Sequence, residues 1–302
     1  MVEIKKLDAS FGVEVLGLDL KLETSDTLMK KLTSVLYEHR LLVIRGQEME
    51  PEQYLEFGRQ WGTPHPHVLD HARMKGFPEL LEVGNVTERA KEDAVRNGAV
   101  QWHTDQSYEE EPASATMLYC ILAPEVGGET QLADQVAAYA ALDEETKATI
   151  DTMVVLHQYG AGPTRSDEQA ADPIKTEEQK DSLPVVRHPL VRRHPVTGHR
   201  ALYGVSGSSF GIEGLVPEEG GALLKRLKEH AISERFVYRH KYRVGDVAIW
   251  DTLSTMHSAT RIKYATGNAD RRLLYRISVK GAPLIHAQAA VSYTHLTLPT
   301  KA

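Results

Sequence analysis

The feature that most constrains this chain is a succession of short strand-like segments joined by turns and seldom by helices. ELLEV (79–83), ATMLYCIL (115–122) and ETQLAD (129–134) occupy the middle of the chain. VVRHPLVRRH, HRALYGV, RFVYRHKYRV, DVAIWD and RRLLYRISV follow in the last third. Alternating or short, wholly apolar runs of this length fit half-buried and buried strands. Strands that succeed one another without helical crossovers build a sandwich or a barrel, whereas regular β-α-β alternation would build a parallel sheet. The sequence contains neither a GxGxxG nor a P-loop pattern, which leaves nucleotide chemistry without support.

The helices predicted are few and flank this core. GVEVLGLDL (12–20) alternates like a strand, and residues 25–39 place Leu28, Leu32, Val35 and Leu36 on one helical face behind Ser25 as N-cap. LLVIR (41–45) is a buried type of strand, and Pro51 opens a second helix at the tolerated first turn. QVAAYAAL and DEETKATI read as short helices, and PEEGGALLKRLKEHA as a longer one starting at Pro217. Residues 159–184 are polar and rich in turn formers, so they read as a long surface loop of the kind that often serves as a lid.

The chain has 302 residues, 41% hydrophobic and 25% charged, which is ordinary globular composition. Its net charge of −7 argues against a nucleic-acid partner. No apolar run approaches the ~18–20 residues of a membrane span, and the first residues lack a signal-peptide core. The single cysteine, Cys120, excludes an internal disulfide and fits a reducing cytoplasm. Histidine is in excess at 14 residues, and histidine is both the commonest metal ligand and the acid/base residue of neutral pH.

Four patterns carry candidate chemistry. In WHTDQSY, His103 and Asp105 stand at i, i+2, so in an extended chain an imidazole and a carboxylate converge on one side. His257 follows closely on the strand VAIWD. Arg272 and Arg276 stand at i, i+4 and share one face of a strand. Thr130 follows a Gly-Gly turn. Taken singly, each has a bland counterpart: a solvated histidine beside a turn aspartate, a satisfied core histidine, an exposed edge strand, an ordinary strand threonine. Together, two histidines and a carboxylate match the facial triad of non-haem Fe(II) oxygenases, with arginine suited to hold a carboxylate co-substrate.

Over roughly residues 12–283 the chain resembles the taurine dioxygenase/2,4-dichlorophenoxyacetate dioxygenase family of Fe(II)- and 2-oxoglutarate-dependent oxygenases. The motifs that carry the resemblance are GVEVLGLDL, LLVIRGQ, FGRQWGTPHPH, WHTDQSY, the PxxGGET turn, HPLVRRHPVTGHRALY, RFVYRHKYRVGDVAIWD, His257 and RRLLYR. The resemblance implies a mainly β fold with flanking helices around a double-stranded β-helix, or jelly-roll, core. It implies that His103, Asp105 and His257 are iron ligands, that Thr130 and Arg272 hold 2-oxoglutarate, and that Arg276 and His67 contact substrate. O2 is the second co-substrate, and succinate and CO2 are released as a small anionic organic substrate is hydroxylated. Retention of Asp105 favours hydroxylation over halogenation. The taurine pocket is not matched: its tyrosine falls near Asp70, its asparagine is Ala99, and one of its aromatic walls falls near Ser208. A sulfonate, sulfate ester, carboxylate or aryloxy acid is therefore expected, and taurine is not. A zinc hydrolase using the same three ligands, or a non-catalytic jelly-roll binding protein, are the alternatives.

Relatives of this kind are commonly homodimers or homotetramers. Because the ligands span His103 to His257, residues 1–290 are expected to form one domain. The tail VSYTHLTLPTKA (291–302) resembles the translation of a sequencing-library adapter and is expected to have no role.

Overall fold

A computed structural model describes residues 2–22, 24–67, 73–160 and 184–286. Asp70, the 291–302 tail and nearly all of the 159–184 segment lie outside these residues. No helix among the described residues is long and apolar enough to cross a membrane.

The first layer is a large, largely antiparallel sheet. It draws on β1 (Glu3–Lys6), β2 (Val13–Leu16), β3 (Leu41–Ile44), β4 (Thr63–Pro64), β5 (Arg73–Met74), β6 (Phe77–Gly84), β7 (Ala115–Leu122), β15 (Val247–Asp251) and β17 (Leu273–Lys280). The order is β1-β2-β3-β15-β7-β17-β6-β5, with β4 paired to one end of β17. Facing it is a three-stranded sheet, β14 (Val237–His240), β8 (Thr130–Asp134) and β16 (Thr255–Ala259). A second small sheet joins β10 (Val186–Pro189), β9 (Val154–His157) and β13 (Ser209–Ile212), and β11 (Val191–Arg193) forms a hairpin with β12 (Arg200–Leu202). This is the mainly β, jelly-roll architecture that the sequence implied.

Strand parity explains which residues reach the site. Leu42, Ile44, Met117, Tyr119, Val247, Ile249, Ile277 and Val279 point outward. They pack under helix α1 (Asp26–His39) and helix α2 (Pro51–Arg59) through Leu32, Leu36, Tyr54 and Phe57. Leu41, Val43, Leu118, Cys120, Ala248, Trp250 and Leu274 alternate with them and face Leu132 of the small sheet. Both faces are covered, which is why LLVI and VAIWD are continuous buried runs. Burying a side chain such as Leu36 or Ile249 contributes roughly 1.5–3 kcal/mol before ordering costs. Thr116, Arg272, Arg276 and Ser278 share the parity of the inner face, so polar groups enter there at positions fixed by the same alternation.

Most predicted elements hold. Ser25 caps α1 by accepting from the Leu28 amide, and ATMLYCIL is β7 over its full length. The short helices are α3 (Gln135–Ala140) and α4 (Glu144–Ile150), and the longer one spans Pro217–Ala231. Five segments differ, of which GVEVLGLDL and HRALYGV are strands only over Val13–Leu16 and Arg200–Leu202. VVRHPLVRRH is two strands that change partner at Leu190, whose amide still donates to Met153 O beside β9 while its carbonyl accepts from the Tyr203 amide beside β12. RFVYRHKYRV is a strand only over Val237–His240, where it pairs with β8. His257 lies within a strand, β16, and does not merely follow one.

Candidate active site

His103 sits beside the small sheet through a backbone bridge: its amide donates to His257 O and the His257 amide donates to His103 O, each at 2.9 Å. The two imidazoles stand 4.1 Å apart at their centroids. Directly after His103 the chain turns, with Gln106 at φ 55°, and this turn brings the Asp105 carboxylate back against both rings. His103 Nε2 is 3.6 Å from Asp105 Oδ1, and His257 Nε2 is 3.6 Å from Asp105 Oδ2. One ligand atom from each residue lies within 4.8 Å of the others. The i, i+2 spacing thus delivers convergence, by a strand residue followed by a turn.

The surrounding groups fix these side chains in a metal-accepting state. His103 Nδ1 is 2.7 Å from the Gln101 carbonyl, which can only accept, so Nδ1 carries the hydrogen and Nε2 keeps its lone pair for an ion. Burial pushes His257 down to about 3, and repulsion from His103 and Arg276 acts the same way, so its imidazole is neutral and can ligate. Burial alone would raise the pKa of Asp105. The Arg276 guanidinium and the hydroxyl of Thr116 outweigh it and hold the carboxyl well below the usual range. Thr116 Oγ1 donates to Oδ2 at 2.7 Å, and Arg276 Nη2 donates to Oδ1 at 2.9 Å and to Ser278 Oγ at 2.9 Å. Two imidazoles and one ionised carboxylate on one wall of a cavity are a donor set that suits a divalent transition metal.

That cavity has a volume of about 270 Å³, and His67, His103, Asp105, Thr130, His257, Arg272 and Arg276 all border it. The structure therefore brings together all seven residues proposed from the sequence as metal, co-substrate or substrate contacts. Ala99 and Ser208, where the taurine pocket is not matched, border it as well. Arg272 is only 3% exposed and forms no salt bridge with a described carboxylate. Its Nε donates to Gly128 O at 2.9 Å, and its guanidinium lies 5.8 Å from the Tyr242 ring. A buried guanidinium without an anion is costly, so this position fits the carboxylate of a bound acid. Thr130 Oγ1 is 3.0 Å from the Tyr242 hydroxyl, on the same wall. His67 is half-buried, and its carbonyl accepts from Arg73 Nε at 2.8 Å.

The sequence reading missed Thr116, Gln101 and Tyr242. Thr116 left a signal, being the one polar side chain at the start of an otherwise apolar strand. The contacts of Gln101 and Tyr242 are set by the fold and left none.

Comparison with known proteins places the chain in one family. The model of the family described as taurine catabolism dioxygenase TauD, TfdA family, matches residues 3–278. The chain is 29% identical over 272 residues to the alpha-ketoglutarate-dependent 2,4-dichlorophenoxyacetate dioxygenase of Cupriavidus pinatubonensis, covering 87% of this chain and 93% of that one. It is 29% identical over 283 residues to the (S)-phenoxypropionate/alpha-ketoglutarate-dioxygenase of Sphingobium herbicidovorans, covering 93% and 96%. The crystal structure of AAD-2 in complex with Mn(II) and N-oxalylglycine superposes with a TM-score of 0.77 at 30% identity, over 93% of this chain and 97% of that one. The fold, the metal-accepting cavity and the match along nearly the whole chain together make this protein a member of the TauD/TfdA family.

Proposed function

We propose that this protein is an Fe(II)- and 2-oxoglutarate-dependent dioxygenase that hydroxylates a small anionic organic substrate. The observation that carries the reading is the His103–Asp105–His257 cluster opening on the same cavity as the buried, unpaired Arg272. When bound, Fe(II) with 2-oxoglutarate supplies the oxidising power that places an oxygen atom from O2 on the substrate, with succinate and CO2 as co-products.

The chain's own residues provide binding and orientation. His103 turns Nε2 and His257 its imidazole toward the ion's position, and Asp105 presents a carboxylate already held by Thr116 and Arg276. Arg272 and Thr130 receive the far carboxylate of 2-oxoglutarate; a charge-assisted hydrogen bond of this kind contributes about 1.5–3 kcal/mol. Arg276 and His67 receive the anionic group of the substrate, a sulfonate, sulfate ester, carboxylate or aryloxy acid. A leaving group on the hydroxylated carbon would let the product fragment.

A zinc hydrolase would have no use for the unpaired Arg272, and a binding protein would have no use for two imidazoles and a carboxylate converging on one point. We further propose that the enzyme works in the cytoplasm as a homodimer or homotetramer, that residues 1–290 form the functional domain, and that deletion of 291–302 leaves turnover unchanged. The deciding experiment measures succinate from 2-oxoglutarate with Fe(II), ascorbate and a panel of small sulfonates, sulfate esters and aryloxy acids. Turnover that requires O2 and is abolished in His103→Ala is expected. Activity that persists anaerobically with zinc overturns the reading.

A further inference from the structure

Beside the metal-accepting triad the cavity wall carries two hydroxyls that the reaction above does not use. Ser107 Oγ and Ser208 Oγ lie 2.8 Å apart, although 101 residues separate them in sequence. Both border the cavity; Ser107 is otherwise buried, and Ser208 is the more open of the two. Behind them His157, 0% exposed, places Nδ1 2.9 Å from Ser208 Oγ. His157 cannot withdraw, because Gly204 packs against its far edge so closely that an added Cβ would lie 2.4 Å from Nε2.

Counting hydrogens decides what this wall can do. His157 Nε2 is buried without a hydrogen-bond partner. A buried donor left unpaired is rarer and costlier than a buried acceptor left unpaired, so the hydrogen belongs on Nδ1 and the bare lone pair on Nε2. Nδ1–H then donates to Ser208 Oγ. The two hydroxyls own two hydrogens, and their mutual bond uses one. The second is left over on the cavity wall. With the opposite tautomer His157 would consume it, and the wall would present only lone pairs.

We propose that Ser208 and Ser107, positioned by His157, form a specificity subsite that donates a hydrogen bond to an acceptor oxygen (ketone, ester, nitro or sulfonyl) on the part of the substrate away from its reacting carbon. This rests on the dioxygenase reading and extends it to substrate choice. Ser208 and Ser107 touch the substrate; His157 is a positioning residue.

The test uses matched probes: ring-acetylated phenoxyacetates against their isopropyl isosteres, and an alkyl sulfate ending in a methyl ketone against one ending in isopropyl. Succinate release gives KM and kcat for each. The wild-type enzyme is expected to favour the acceptor-bearing member of the best pair by about three- to tenfold in kcat/KM, mostly through KM, as one hydrogen bond allows. Ser208→Ala and His157→Phe bring the ratio to about one. His157→Asn, whose side-chain amide can donate from the position of Nδ1, restores it, which a merely structural role would not do. Independently, 15N NMR of the zinc-loaded, histidine-labelled chain, assigned with His157→Asn, is expected to show hydrogen on Nδ1 of His157. Hydrogen on Nε2 overturns the proposal whatever the kinetics. Turnover of both members of every pair at equal kcat/KM overturns it while leaving the dioxygenase reading intact. No succinate from any probe with hydrogen on Nδ1 overturns the dioxygenase reading and the proposal with it.

Discussion

Arg276 Nη2 lies 2.9 Å from Asp105 Oδ1, so the carboxylate of the triad is already engaged by a guanidinium that itself borders the cavity. Asp105 Oδ2 is held in turn by Thr116, and both partners project from the inner face of the large sheet. The two oxygens are thereby aimed by strands β7 and β17, while the residue itself sits in a turn. Arg276→Met removes the orienting bond and spares the three ligands. Mn(II) affinity, read by calorimetry, is expected to weaken by about 10- to 100-fold, the usual cost of losing a partner behind a metal ligand. Asp105→Ala deletes a ligand, and no Mn(II) binding is expected. Equal affinities for Arg276→Met and the wild type would show that Thr116 alone orients the carboxylate.

Arg272 is expected to govern 2-oxoglutarate and not the metal. Its Nε is committed to Gly128 O, which leaves the fork of the guanidinium to meet a carboxylate. Arg272→Lys keeps a charge and loses the fork and the Gly128 anchor. The KM for 2-oxoglutarate should rise about 10- to 100-fold, the equivalent of one charge-assisted hydrogen bond, with Mn(II) affinity unchanged. Thr130→Val should raise the same KM by a smaller factor, about 2- to 10-fold, because a neutral hydroxyl contributes less. A shift in Mn(II) affinity in Arg272→Lys would contradict the assignment.

What could be read in the sequence divides along a physical line. His103 and Asp105 were legible because two positions in a strand-and-turn fix their convergence locally. Arg272 and Arg276 were legible because strand parity places both on one face. His257 was visible only as a residue after VAIWD, since the strand TMHSA exists through its pairing with β8 and has no alternation of its own. RFVYRHKYRV reads as ten strand residues, yet its partner β8 begins at Thr130, opposite His240, and the ladder ends there. The Ser107–Ser208 contact joins segments 101 residues apart, and no local pattern could announce it. Periodicity reports burial and facing; it does not report which two distant polar groups meet.

Two glycines separate metal binding from stability. Gly207 has φ 80°, and an added Cβ would lie 2.9 Å from His103 Cβ. Gly204 has φ 69° and presses on His157. The backbone conformation alone costs about 1–2 kcal/mol in either variant, a drop of a few degrees in Tm for a chain of this size, and the clash with the confined His157 adds to it in Gly204→Ala. Only Gly207→Ala also pushes a metal ligand. Mn(II) affinity should therefore fall in Gly207→Ala and hold in Gly204→Ala, while Tm falls in both. Equal Mn(II) affinities in the two variants would mean that His103 adjusts without loss.

Acid should destabilise the metal-free protein well above the pH at which carboxylates titrate. His157 and His194 fold as neutral imidazoles, pushed down by burial to about 3 and about 4 from an ordinary value of 6.5. His194 Nδ1 accepts the amides of Val196 and Thr197, so its single hydrogen sits on Nε2, which faces Asp251 Oδ2 at 3.4 Å as a neutral contact and not an ion pair. Burial lowers His188 and His240 as well. As pH falls below 6.5 the unfolded chain takes up protons that the folded chain refuses. Stability contributed by these groups is thus complete above 6.5 and lost progressively toward 4 and 3. Asp251 opposes them: burial pushes it up to about 6 from 3.8, so within that window the folded form holds a proton that the unfolded carboxyl has released. One carboxyl cannot offset these four imidazoles together with His257, which burial also lowers, and between pH 6 and 4 the net loss should be at least on the order of 1 kcal/mol per pH unit. Urea unfolding followed at pH 7, 6 and 5 reads this slope directly. His194→Gln, which removes one titrating imidazole, should flatten the slope even as it lowers stability at pH 7. A slope unchanged in that variant would mean that His194 already carries its proton in the fold.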